Sequence, residues 1–116
     1  MENKKLTLTL LFDFFGELLT QKQREYFDLY YNEDMSLSEI AENAGISRQG
    51  VRDMLVRAET SLLDYEAKTG VVARFLSMRG RVDEIGSLLR RAQTLTGGEA
   101  ASLIDEAVSK LEALKG

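Results

Sequence analysis

Residues 36–55 read SLSEIAENAGISRQGVRDML, and the fold turns on this stretch. Ser36-Leu37-Ser38-Glu39 is a capping box, a hydroxyl at the N-cap with a carboxylate three residues on, so a helix is expected to open here. It runs through Ile40, Ala41 and Ala44 to Gly45, a residue that tolerates the positive φ of a helix stop. Ser47 offers another N-cap. From there Val51, Met54, Leu55, Ala58, Leu62 and Tyr65 recur at helical spacing to about Thr69, where Gly70 stops the run. Two helices joined by a tight glycine turn form a helix-turn-helix unit. Ala41 is small because the second helix crosses close above it, and Ile40, Ile46, Val51 and Met54 are expected to form the shared core that fixes the crossing angle.

With those positions assigned to the interior, Arg48, Gln49, Arg52 and Asp53 project outward from the first turns of the second helix. Those turns are the part of such a unit that enters a major groove. Arginine suits guanine or phosphate, glutamine suits adenine, and a helix N-terminus favours phosphate. Ser47, Arg48, Gln49, Arg52 and Arg57 are therefore the candidate contacts to double-stranded DNA. Gly50 within the helix costs about 1 kcal/mol relative to alanine, although it also lets a backbone approach DNA closely. The competing reading is a helical hairpin inside a core, with Arg48 and Arg52 simply solvated.

Working outward, the first helix is expected from about Lys5 to Leu19, with Leu11, Phe14, Phe15, Leu18 and Leu19 on one buried face. Thr20-Gln21-Lys22-Gln23 is a further capping box. The helix it opens carries Tyr26, Phe27, Tyr30 and Tyr31, a stripe that reads as core rather than as a platform for stacking bases. No segment alternates apolar and polar residues as a half-buried strand does. There is no proline, so helices must end on glycines and caps. An all-α fold follows.

Charge is unevenly placed. Residues 1–46 carry four Lys/Arg against nine Asp/Glu, residues 47–92 carry nine against six, and residues 93–116 carry two against four. A positive middle between acidic ends can hold phosphates locally although the whole chain is at −4. The chain has no cysteine and no histidine, which removes thiolate metal sites, disulfides and the commonest general base. No acidic cluster has a nucleophile or phosphate loop beside it, so neither an enzyme nor a cofactor or metal is expected. No run approaches the roughly 20 apolar residues of a membrane span. The opening MENKKLTLTLLFDFFGELL contains Asp13 and Glu17 and no small-residue cleavage site, so it reads as a first helix rather than a signal peptide. A cytoplasmic protein is the expectation.

Beyond Gly70, the residues Phe75, Met78, Val82, Ile85, Leu89 and Ala92 step by three and four, the spacing of a coiled-coil seam. Gly97-Gly98 turns the chain, and Leu103, Ile104, Ala107, Leu111 and Leu114 follow at helical spacing. Residues 1–70 are thus read as a DNA-binding head, and residues 71–116 as an amphipathic two-helix extension through which a homodimer forms. Arg74, Arg79, Arg81, Arg90 and Arg91 read as a solvated face, with phosphate contact to DNA or structured RNA as the alternative.

The stretch MSLSEIAENAGISRQGVRDMLVRAETSLL, residues 35–63, resembles region four of bacterial sigma factors, which reads promoter DNA with the second helix of this unit. LFDFFGELLTQKQREYFDLYYNEDMSLSEIAENAGISRQGVRDML, residues 11–55, is very similar to the bacterial YlxM family of helix-turn-helix proteins. The resemblance implies a sigma-region-four-like head and DNA binding. It also implies a link to the signal recognition particle pathway, through gene neighbourhood with the particle's protein subunit. A transcriptional regulator is the expected function, and an accessory factor bound to the particle's RNA or protein is the alternative. At this length the chain has no room for the region with which sigma factors melt promoters, so a sigma factor is not expected.

Overall fold

The structure, a computed structural model, describes residues 2–115, with Glu2 described in its backbone alone. Among the described residues there are α-helices and helical turns but no strand. The helices are α1 (Glu2–Phe15), α2 (Gln21–Phe27), α3 (Leu37–Ala44), α4 (Arg48–Thr69), α5 (Val71–Thr94) and α6 (Gly98–Leu114). The chain divides into two compact units, Met1–Val72 and Ala73–Gly116.

In the first unit α4 is the central helix, packed against α1, α2 and α3. Its buried stripe is Val51, Leu55, Ala58 and Leu62, spaced by four, three and four. Leu8, Leu11 and Phe15 of α1 meet it with Leu19, Tyr26, Phe27, Ile40, Ala41 and Val72 in one cluster. Phe12 stacks on the fully buried Phe27 at 4.5 Å between ring centroids, and Phe27 in turn meets Tyr31 at 4.5 Å. The aromatic stripe is therefore core, as its spacing indicated.

The first helix ends earlier than expected. α1 stops at Phe15, and Gly16–Leu18 tighten into a 3₁₀ turn closed by the Leu19 N–H donating to the Gly16 carbonyl. A Cβ on Gly16 would stand 3.2 Å from the Phe12 ring, so this glycine makes room as well as a stop. The tightened turn rotates the following side chains, leaving Leu18 exposed, and Phe14 also lies outside the buried set.

Both capping boxes form. Thr20 Oγ1 accepts the Gln23 N–H at 3.2 Å while Gln23 Oε1 accepts the Thr20 N–H at 3.1 Å. Ser36 Oγ and Glu39 Oε1 repeat the exchange at 3.1 Å each. Between the boxes, α2 passes into a π-helical turn, Asp28–Asn32, whose side chains Tyr30 and Tyr31 lie half-buried against the core.

Gly45 sits at φ 71°, where its N–H and that of Ile46 both donate to the Ala41 carbonyl. Gly70 repeats this conformation at φ 64° after α4. Beyond it the Glu66 carboxylate accepts the Val72 N–H at 2.9 Å, so the last turn of α4 satisfies a donor in the first turn of α5. Within the helix-turn-helix, one expected core residue is displaced. Ile46 is 41% exposed, because the backbone around the turn closes on Ile40, Ala41 and Val51 without it.

The second unit is a helical hairpin. Val82, Gly86, Leu89 and Gln93 on α5, and Ala101, Ile104, Ala107, Val108 and Leu111 on α6, are all at least half-buried, and we take these two stripes as the contact between the helices. Gln93 Nε2 donates to the Ala101 carbonyl at 2.9 Å. Of the expected seam, Val82 and Leu89 lie in this contact and Phe75 is half-buried, while Met78, Ile85 and Ala92 are exposed. Leu103 and Leu114 on α6 are exposed too, and Val108 is the residue buried in their place. The contact runs through a glycine and a glutamine, which an apolar count passes over.

Candidate nucleic-acid interface

Three residues, Gly45, Ile46 and Ser47, connect α3 to α4. Ser47 holds an extended backbone and its Oγ accepts the Gly50 N–H at 2.9 Å, so the first predicted contact residue is also the N-cap of the helix it introduces. A Cβ at position 50 would stand 3.2 Å from that Oγ, which gives Gly50 a local reason besides close approach to a partner. No acidic residue occupies the first turn of α4, so the partial positive charge of its N-terminus is not offset there.

At about 100° per residue, Arg48 and Arg52 lie about 40° apart around α4, with Gln49 about 60° from Arg52. Arg48, Gln49, Arg52 and Leu37 line one shallow open depression, which joins the start of α3 to the start of α4. All three polar residues are exposed; by the same spacing Arg48 and Arg52 border the buried Val51–Leu55 stripe, and Gln49 faces away from it. Arg57 is exposed as well but stands about 140° from Arg52. It does not share this surface. Met54, assigned to the shared core, is half-buried against it.

Arg52 also borders a second depression, lined with Lys4, Tyr30, Tyr31, Leu37, Val56 and Glu59. Lys4 reaches Glu59 at 3.6 Å. Burial, and after it the Glu59 carboxylate, hold the Tyr31 phenol above its ordinary value. Sequence reading missed Lys4 because 48 residues separate it from Arg52, and only the packing of α1 on α4 brings them to one surface. Gln49 Nε2 donates to Asp53 Oδ1 at 2.8 Å. Among the described residues, no group of three or more acidic side chains is arranged to hold a metal ion, and no helix is long and apolar enough to cross a membrane.

The geometry is that of a helix-turn-helix with a polar, partly cationic outer surface on its second helix. Residues 2–97 match the family described as "Putative helix-turn-helix protein, YlxM / p13 like". The chain belongs to this family. A YlxM/p13-like relative, the UPF0122 protein of Caldanaerobacter subterraneus subsp. tengcongensis, is 53% identical over 85 residues, covering 73% of each chain. The UPF0122 protein of Bacillus mycoides is 39% identical over 112 residues, 97% of this chain and 100% of its own. That of Desulforamulus reducens is 45% identical over 82 residues, 71% of this chain and 70% of its own. The YlxM/p13-like match takes in the whole helix-turn-helix and all of α5, so the expected family and the all-α class hold.

Proposed function

We propose that this protein is a homodimeric, cytoplasmic DNA-binding regulator of transcription that reads duplex DNA with the first turns of α4. The observation that carries the reading is the shared surface of Arg48, Gln49 and Arg52, exposed beside the capped N-terminus of a helix anchored in the core by Val51, Leu55, Ala58 and Leu62. Arg48 and Arg52 supply charge for phosphate or guanine, and Gln49 supplies a base-reading amide. Ser47 holds the helix end that favours phosphate. Arg57, turned away from this surface, is confined to a flanking phosphate.

The hairpin supports the dimer. Asp83 and Arg90 of α5 pair with Lys115, just past the end of α6, and Asp105 of α6 at 2.6 and 2.8 Å, and Asp83, Arg90 and Asp105 flank the contact stripe on one side. By helical periodicity, Met78, Ile85 and Leu88 flank it on the other side of α5, as do Leu103 and Leu114 on the matching side of α6. Each of these five is 40% or more exposed. The hairpin therefore has one ion-paired side and one side where these five apolar residues lie with Arg81 among them, and a second copy presenting the same side forms a closed twofold contact. Twofold pairs of reading heads suit operators with paired half-sites.

The test is salt-dependent affinity for duplex DNA, with Arg48→Ala and Arg52→Ala against the parent and thermal melts as a folding control. A base-contacting arginine costs about 1–3 kcal/mol and relaxes one position, whereas a phosphate-contacting one lowers the salt slope by about one. Parent-like binding by both variants refutes this use of α4. In the same assay, signal recognition particle RNA that outcompetes every duplex favours the accessory-factor reading. Light scattering tests the dimer, with Ile85→Asp expected to give monomers.

A further inference from the structure

We infer that Asp53 sets the base preference of the α4 surface by positioning Gln49 to read adenine, an inference that rests on the proposed DNA-reading role of α4. A glutamine amide carries two N–H donors and one carbonyl acceptor on a side chain with several rotatable bonds. Here one N–H is committed to Asp53 Oδ1 at 2.8 Å, one helical turn further on. One N–H and the Oε1 acceptor remain. Adenine presents the complement of that pair in the major groove, an N7 acceptor beside an N6 donor. Guanine presents two acceptors, N7 and O6, and would need both N–H groups. Committing one of them to Asp53 therefore selects between the purines, and it orders the amide before DNA arrives.

The carboxylate has a second effect. Among the described residues Asp53 forms no ion pair, so its charge stands exposed within the same two turns as Arg48 and Arg52. A fixed negative charge there opposes the approach of phosphates whatever the sequence. It lowers binding to random duplex and leaves the hydrogen bonds of the matched base to discriminate, so that specificity is gained partly through repulsion. Asp53 acts through Gln49 and is a positioning residue.

The experiment is selection from a random duplex library with the full chain, using the parent, Gln49→Ala, Asp53→Ala and Asp53→Asn. The parent is expected to select adenine at one position per half-site. Gln49→Ala and Asp53→Ala should each lose about tenfold in that preference. Asp53→Asn keeps an acceptor for Gln49 and should retain it. Both Asp53 variants should bind random duplex several-fold more tightly than the parent, because that gain follows charge and not the hydrogen bond. Thermal melts should match the parent, since Asp53 is exposed. Unchanged adenine preference in Asp53→Ala overturns the inference and leaves an ordinary helix-surface pair. So does loss of the preference in Asp53→Asn to the same degree as in Asp53→Ala. A parent that selects no duplex at all overturns the reading of α4 itself, which distinguishes the two failures.

Discussion

Replacing Gly45 with alanine isolates the cost of the turn between the two helices. Gly45 adopts φ 71° and ψ 30°, and a Cβ built on it would meet nothing within 4 Å. Steric collision with neighbours is therefore absent, and the whole penalty lies in the left-handed backbone, about 1–2 kcal/mol for an L side chain. Alanine also reduces the freedom of the unfolded chain, but where φ is positive the strain outweighs that gain. The expected net loss is about 1 kcal/mol, which lowers the melting temperature of a unit this size by about 4–8 °C. Asparagine enters the left-handed region more readily, so Gly45→Asn should lose clearly less. Far-UV circular dichroism melts of the parent and both variants, with urea titrations for the free energies, measure these differences. Equal losses for alanine and asparagine, or no loss for either, would refute the argument that backbone strain alone is at stake. A loss above about 3 kcal/mol would point instead to disrupted packing of Ile40 against Val51.

Further expectations follow from the same geometry. Ser47→Ala leaves the Gly50 N–H without its 2.9 Å acceptor and should cost about 1 kcal/mol, readable in the same melts. Gly80 lies exposed inside α5 with open space around it, so Gly80→Ala should stabilise the hairpin by about 1 kcal/mol, seen as slower amide exchange in α5 and α6. The Ser36 backbone N–H holds the Glu39 carboxyl below its ordinary value. The stabilisation is thus complete above that ordinary value and is lost as pH falls through the lowered one, and Glu39→Gln should flatten the acid limb of a stability-versus-pH curve. Tyr31 is shifted upward by burial, so its contribution is complete below pH 10 and declines above it as the unfolded chain ionises first. Tyr31→Phe should remove that alkaline decline in urea melts taken across pH 10.

The local signals in the sequence translated directly into structure because each rests on a few adjacent residues. Thr20 with Gln23, Ser36 with Glu39, Ser47, Gly45 and Gly70 all act within one helical turn, and no distant partner is needed to read them. Burial was less legible because it depends on what packs opposite. Phe14, Leu18 and Ile46 are apolar enough for a core, yet Phe14 lies beside the buried Leu8–Leu11–Phe15 face of α1, and the 3₁₀ turn and the tight helix connection carry Leu18 and Ile46 away from it. In the hairpin, Gly86 and Gln93 occupy contact positions that hydrophobic periodicity assigns to no one, and Met78 and Ile85 are displaced from the seam as a result. On the candidate surface the same division holds. Arg48, Gln49 and Arg52 share a face by spacing alone, and the spacing also sets Arg57 apart. The proximity of Lys4 to Arg52 and the bond from Gln49 to Asp53 depend on tertiary packing and side-chain conformation.

The two-sidedness of α4 has an evolutionary consequence. Its inward residues, Val51, Leu55, Ala58 and Leu62, carry much of the head's cohesion, whereas Arg48, Gln49, Arg52 and Asp53 touch solvent. Substitutions at exposed positions away from caps and networks generally change stability by less than about 0.5 kcal/mol, whereas those in a packed core routinely threaten a marginal fold. Lineages descended from one such head can therefore exchange their outer residues one at a time without approaching the unfolding threshold. Gene duplication can then yield proteins with divergent preferences on an unchanged scaffold, because stability constrains the four inward positions and leaves the four outward ones to be constrained by what they bind.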